Sequence, residues 1–535
     1  MNMKKNIFKI IIALGSLSGS FISCSKKLNL LPTNDITAAQ VYSTPAGYAQ
    51  AFAKVYGSYA LTGNTGPAGN GDIQGIDEGT SDFVRLYWNA QELSTDEAVC
   101  AWGDPGVPDL HAMNWSASDP ILTGLYYRSY YQITLCNDFI NQSSDANLAS
   151  RGISGANADT IRTYRAEARF LRAFQYAVVM DLFGSVPFVT EKDPLGSILP
   201  PQIKRADLFN YITGELRAIE SALVAPMKNL YGRADQGAEW ALLARLYLNA
   251  QVYTGTAKYD SAIMYSSKVI GAGYSLIPNY TQLMLADNNL NTSEFILTVN
   301  YDGLKTQGYG GTTFLTHSPV GGSMIAKNYG IDGGWSGNRV TKNLIDLFPD
   351  PNGNGDKRAE FYTPGQNLEI NSIPTFTDGY AVTKFRNVRR DSVIVDSVKV
   401  PAQGQSIAFS DIDFPLFRLA EQYLIYAEAT LNNGTGGDQT KALQYFNLLR
   451  QRAGATAFGS IALQDILNER ARELYWEGFR RTDLIRYNQF VEGTYLWPWK
   501  GGVQSGTSVA TFRKIYPIPS ADIASNTNLV QNPGY

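Results

Sequence analysis

Residues 236–270, QGAEWALLARLYLNAQVYTGTAKYDSAIMYSSKVI, decide the fold. Trp240, Leu243, Ala244 and Tyr247 recur at three- and four-residue steps, the spacing of one helix face. Tyr253-Thr254-Gly255-Thr256 then breaks the pattern, and Tyr259, Ala262 and Ile263 restart it. The stretch predicts a helical hairpin. Its first half fits the W-x2-L-G-x2-Y opening of a tetratricopeptide repeat with Ala in place of Gly, and Tyr259-x2-Ala262 fits the second half. Small Ala at these places lets two helices approach closely.

The same signature recurs outward from there. Leu419-Ala420-x2-Tyr423 followed by Ala442-x3-Phe446 reads as a second, degenerate copy with a longer linker. Residues 160–183 carry Ala166, Phe170, Ala173, Phe174 and Ala177 on one stripe, and Gly184 and Pro187 stop that helix. A further helix is predicted from about Asp465 to Tyr487, with Glu477 and Arg481 at an i, i+4 spacing that favours an ion pair. The expectation is a mainly α, tetratricopeptide-like scaffold.

Residues 62–79 and 303–337 differ in character, being rich in Gly, Asn, Asp and Thr with single rings at Tyr309, Phe314, Tyr329 and Trp335. Long irregular stretches in a compact body are either functional or disordered, and isolated rings favour function. EAVCAWGDPG, residues 97–106, adds Trp102 at the entrance to a turn. The scaffold is therefore expected to carry long irregular ligand-binding loops.

The first 23 residues have the form of a secretory signal: Lys4, Lys5 and Lys9, an apolar run from Ile10 to Leu14, then small residues. Cys24 follows as the acylated first residue of a lipoprotein, which anchors a chain to a membrane without spanning it. Residues 24–225 and 226–535 read as N-terminal and C-terminal regions of one globular body. Without those three Lys, 42 basic residues face 48 acidic ones, a net charge of −6. That balance argues against a nucleic-acid partner. Aromatic residues make up 12% of the chain. The two remaining cysteines, Cys100 and Cys136, could pair, and two buried thiols are the preferred reading.

Catalysis has no positive sign. His111 and His317 are the only histidines, in no triad or metal-binding setting. No nucleophile elbow, phosphate loop or dinucleotide fingerprint occurs, although the many acids leave a glycosidase carboxylate pair open. No cofactor is required. Two Asx-rich stretches, from Asp287 and from Asp350, space oxygen ligands at every second residue, as calcium loops do; Asx turns look the same without an ion. Asp287 is the candidate ligand for a structural calcium.

Several motifs together resemble the SusD/RagB family. They are Phe170–Ala173 followed by Asp181–Phe188 (DLFGSVPF), Gly232-Arg233-Ala234, Arg470–Asp483 (RARELYWEGFRRTD), Tyr516–Pro519 and the ending Gln531–Tyr535. The resemblance spans nearly the whole chain after Cys24, and is greatest to the starch-binding member. It implies a lipid-anchored, non-catalytic protein on the outer face of the outer membrane. It also implies capture of starch or another α-glucan and delivery to a SusC-like TonB-dependent transporter. The alternatives are a transporter lid for a different glycan or a peptide, and a lipid-anchored glycoside hydrolase. The family's ring arc corresponds here to Trp102, Tyr309 and Trp335, with Arg85 and Asp77 as polar companions. One departure stands out: the Asn expected three residues after the first Trp is Pro105, so Asp104 is the candidate replacement for its hydrogen bond.

Overall fold

The computed structural model describes residues 38–535 except 65, 68, 70, 194, 195, 197, 393, 396, 397 and 400–403. The signal segment and Cys24 lie outside the described residues. Asp235 starts the central hairpin by accepting a hydrogen bond from Ala238 N at 3.0 Å, which satisfies a helix-end donor. The hairpin comprises Gln236–Leu248 and Tyr259–Ile270 with a short helix, Ala250–Thr254, between them. Gly255, at φ 76°, ends that connector in the left-handed region that glycine adopts without strain. The second copy forms as Leu419–Leu431 and Gln439–Ala453, capped by Asp438 and closed by Gly454 at φ 72°. Helix Tyr259–Ile270 packs against both Gln236–Leu248 and Leu419–Leu431, so the two hairpins stack. Ala241, Ala244, Ala262, Ala420 and Ala427 are fully buried, and the helices meet where side chains are smallest.

Helix Gly155–Phe183 extends the scaffold, lying between Pro120–Gln142 and Arg205–Ile219. Its predicted stripe is buried, and Gly184 at φ 76° stops it. One continuous apolar cluster reaches from Tyr42 to Leu529. The described β-structure consists of five two-stranded antiparallel ladders, the longest pairing Phe295–Val299 with Phe414–Arg418, and four isolated bridges. No described helix is long and apolar enough to cross a membrane.

The helix predicted from Asp465 to Tyr487 is two helices, Leu463–Leu474 and Arg480–Arg486. Tertiary contacts overrule the local pattern between them. Trp476 turns to φ 64° and Gly478 to φ 83°. The Trp476 ring is buried against Trp88, with centroids 5.0 Å apart, and its Nε1 donates to Glu97 O at 3.0 Å. The expected Glu477–Arg481 pair does not form. Glu477 instead meets Arg418 and Lys384 at 2.7 Å each, while Arg481 donates to Lys514 O. Around the break Arg358, Arg418 and Arg452 surround Glu473. Burial alone would raise the Glu473 carboxyl, but Arg452, Arg418 and Arg358 hold it well below the usual range.

Candidate ligand-binding arc

A ladder of only two residue pairs builds the site. Val99 pairs with Arg339 and Cys100 with Asn338, and Ala101 N then donates to Gly337 O at 2.9 Å. This register carries Trp102 and Trp335 away from the ladder side by side. Trp102 Nε1 donates to Trp335 O at 3.0 Å, and the ring centroids are 6.3 Å apart at 46°. Gly337 makes room for this: a Cβ there would stand 2.4 Å from Trp102 Cε2 and Cζ2. Trp335 N donates to His317 O at 2.9 Å, and the His317 ring lies 4.9 Å from the Trp335 ring at 31°. Burial lowers the His317 pKa, opposed by Thr313 O and Asp332.

Tyr309 is the third ring, 6.3 Å from Trp335 at 58°, backed by Phe409 at 5.5 Å. It is 43% exposed, whereas both tryptophans are half-buried. Asp82 fixes its position relative to the rest. One oxygen of Asp82 caps helix Phe83–Glu92 by accepting from Arg85 N at 2.9 Å, and also accepts from Gly311 N at 2.8 Å. Gly79 lets the Tyr309 backbone close in, since a Cβ there would sit 2.7 Å from Tyr309 Cβ. Burial raises the Asp82 carboxyl, and the backbone donors of Arg85 and Gly311 oppose the rise.

Arg85 joins the rings. Its Nη1 donates to Tyr309 O at 3.1 Å, and its guanidinium lies 4.8 Å from the Phe314 centroid and 5.8 Å from that of Trp102. Its Nε is buried with no hydrogen-bond partner. Burial lowers its pKa, opposed first by Asp77 and more weakly by Asp104, so both carboxylates act on the same cation. Asp77 is exposed and accepts from Thr80 N at 3.0 Å; Asp104 is exposed, beside exposed Gly103 and Pro105.

The three rings and Arg85 are therefore in contact with one another, and Asp77 and Asp104 act on Arg85 from exposed positions. Sequence reasoning missed four supports: Gly337, His317, Asp82 and Phe409. Two of these carry a local signal: Gly337 follows a loop Trp by two residues, and Asp82 is an N-cap type directly before Phe83-Val84. Trp497 and Trp499 belong to the fold. Trp497 is buried beneath Lys500 Nζ at 4.2 Å, and Trp499 Nε1 donates to Ile370 O at 2.8 Å.

The polar residues kept as other candidates have internal partners. Arg390 meets Asp287 through Nε at 2.9 Å and through its backbone N, so a cation at Asp287 would have to displace a guanidinium. Asp350 accepts from Asn352 N at 2.8 Å and Asn354 Nδ2 at 2.7 Å, an Asx-turn arrangement. Cys100 and Cys136 are buried free thiols, each pushed up to about 12 by burial. His111 accepts from Cys100 N at 3.0 Å, and burial lowers its pKa to about 4.

The family model for the SusD family matches residues 362–535. The starch-binding protein SusD of Bacteroides thetaiotaomicron is 37% identical, with 99% of each chain covered. The chain belongs to the SusD family. A SusD-like protein of Bacteroides ovatus is 25% identical over 73% of this chain and 70% of its own. Among solved structures, surface glycan-binding protein A from B. thetaiotaomicron superposes with a TM-score of 0.69 at 22% identity, covering 92% of this chain and 100% of that one. Proteins of the SusD family are non-catalytic glycan-binding components of the outer membrane that face outward and pair with SusC-type transporters, and this chain takes that place.

Proposed function

We propose that the arc captures the curved face of an α-glucan such as starch and that the protein hands the oligosaccharide to its SusC-type transporter. The observation that carries this reading is the tilt between successive rings, 46° from Trp102 to Trp335 and 58° from Trp335 to Tyr309. Rings tilted one after another suit a chain that turns from sugar to sugar, whereas a straight chain of sugars needs coplanar platforms. Pyranose rings offer apolar C–H faces to such π faces, and their hydroxyls need donors and acceptors alongside. Arg85, Asp77 and Asp104 supply these, with Asp104 in place of the missing amide. Full-length similarity to a starch-binding protein supports the same ligand.

A protein sharing this fold at 22% identity has been solved with laminarihexaose, so a β-glucan is the comparison that matters. Affinity electrophoresis through gels containing amylopectin, laminarin or a straight β-1,4-glucan tests the proposal. Retardation by amylopectin above the other two supports it. Retardation by laminarin alone would replace the α-glucan with a β-glucan.

A further inference from the structure

A second cavity, of about 400 Å³, shares no lining residue with the arc. Its size lies within the roughly 300–1,000 Å³ typical of small-molecule sites. Three consecutive turns of helix Pro45–Gly57 open it, because Ala49, Ala53 and Gly57 follow one another at four-residue steps along one face. Beside them stands a stacked pair, Phe52 of the same helix and Tyr164, with centroids 4.3 Å apart and planes 9° from parallel. The remaining walls come from the Tyr231–Arg233 turn and the strand with Leu297 and Val299.

The polar groups narrow the ligand class. Arg233 lies over the stacked rings, 4.8 Å from Tyr164 and 5.1 Å from Phe52. Its charge is already compensated by Glu167, which also accepts from Tyr56 Oη at 2.7 Å. An anionic head would therefore find no free cation there. A sugar fares no better, since apart from Thr298, Thr306 and Asn300 its hydroxyls would face Ala, Leu and Val and stay unpaired. Tyr231 Oη is buried beside Asp413 and Thr298, on a residue that also lines the two adjoining cavities. Asn300, exposed at the edge, adds an amide.

We propose that this cavity is a second ligand site, for a neutral aromatic alcohol or phenol of one or two rings. The aromatic body lies on the Ala49–Ala53–Gly57 face against Leu297, Val299 and Leu416, and its hydroxyl pairs with the Asn300 amide at the edge. The site is independent of the glycan arc, and glycan binding can fail without affecting it.

The probe is 2-naphthol, titrated by its own fluorescence into the protein from Cys24 onward. Saturable binding of one molecule per chain is expected, undiminished by the W102A/W335A pair and not displaced by maltose. Ala53→Phe places a benzyl group in the cavity and should weaken binding at least about tenfold, because a filled site no longer admits the ligand. Absence of saturation, displacement by maltose, or full affinity in a folded A53F protein would each overturn the proposal. In case A53F is itself unfolded, methyl NMR of the unsubstituted protein decides. Shifts at Leu297, Val299 and Leu416 on adding 2-naphthol support the site, and their absence refutes it.

Discussion

Gly337→Ala tests the arc without removing any ring. Gly337 is absent from the positive-φ glycines, so alanine meets no backbone strain there and only the collision counts. Its methyl would stand 2.4 Å from two indole carbons of Trp102 and 2.9 Å from Nε1. Reaching ordinary contact requires the indole to move by roughly 1 Å, since carbon pairs prefer about 3.5–4.0 Å. That movement breaks the Trp102 Nε1 bond to Trp335 O and rotates the first ring out of the arc. Overpacking of this kind costs about 1–3 kcal/mol of stability, seen as a lower urea midpoint. Loss of one ring's stacking, about 0.5–1.5 kcal/mol, weakens glycan binding by up to about tenfold. Isothermal titration with maltoheptaose reads the affinity, and W102A provides the reference for a missing ring. A G337A protein that binds as tightly as the parent would refute the claim that this glycine sets the arc.

Other consequences are open to direct measurement. Asp82→Ala removes the cap of helix Phe83–Glu92 and the acceptor for Gly311 N, and should cost about 1–3 kcal/mol in urea unfolding; D82N, which retains an acceptor oxygen, should lose less. Burial raises Glu92 to about 8 and Glu239 to about 9, so between pH 6.5 and 8 the native state holds protons that the unfolded chain has released. Stability should therefore fall with rising pH in that window, by about 1 kcal/mol per pH unit for each such group, and Glu239→Gln should flatten the slope of the urea midpoint. A midpoint that rises from pH 6.5 to 8 would contradict this. Asp104→Ala should weaken maltoheptaose binding without changing the urea midpoint, because its carboxylate is exposed and acts only weakly on Arg85.

The hairpins were legible because their information is local. Trp240 to Ile263 repeats at helical spacing, and Gly255 marks the break. The segment after Leu474 was not, because Trp476 and Glu477 are held by Glu97, Trp88, Arg418 and Lys384, all remote in sequence. Rings on irregular segments could be picked out singly, and the family pattern named which three belong together. Why they meet could not be read: a ladder of two residue pairs, Val99 with Arg339 and Cys100 with Asn338, is too short for any alternation signal. His317 and Phe409 carry no motif at all and become supports only once the chain has folded against Trp335 and Tyr309.

Trp102, Trp335 and Tyr309 are proposed to hold a curved α-glucan as one arc. Affinity electrophoresis in amylopectin, comparing the parent protein with W102A/W335A, tests this most directly. The account predicts strong retardation of the parent and migration of the folded double variant as in a gel without glycan. Equal retardation of the two proteins would contradict it.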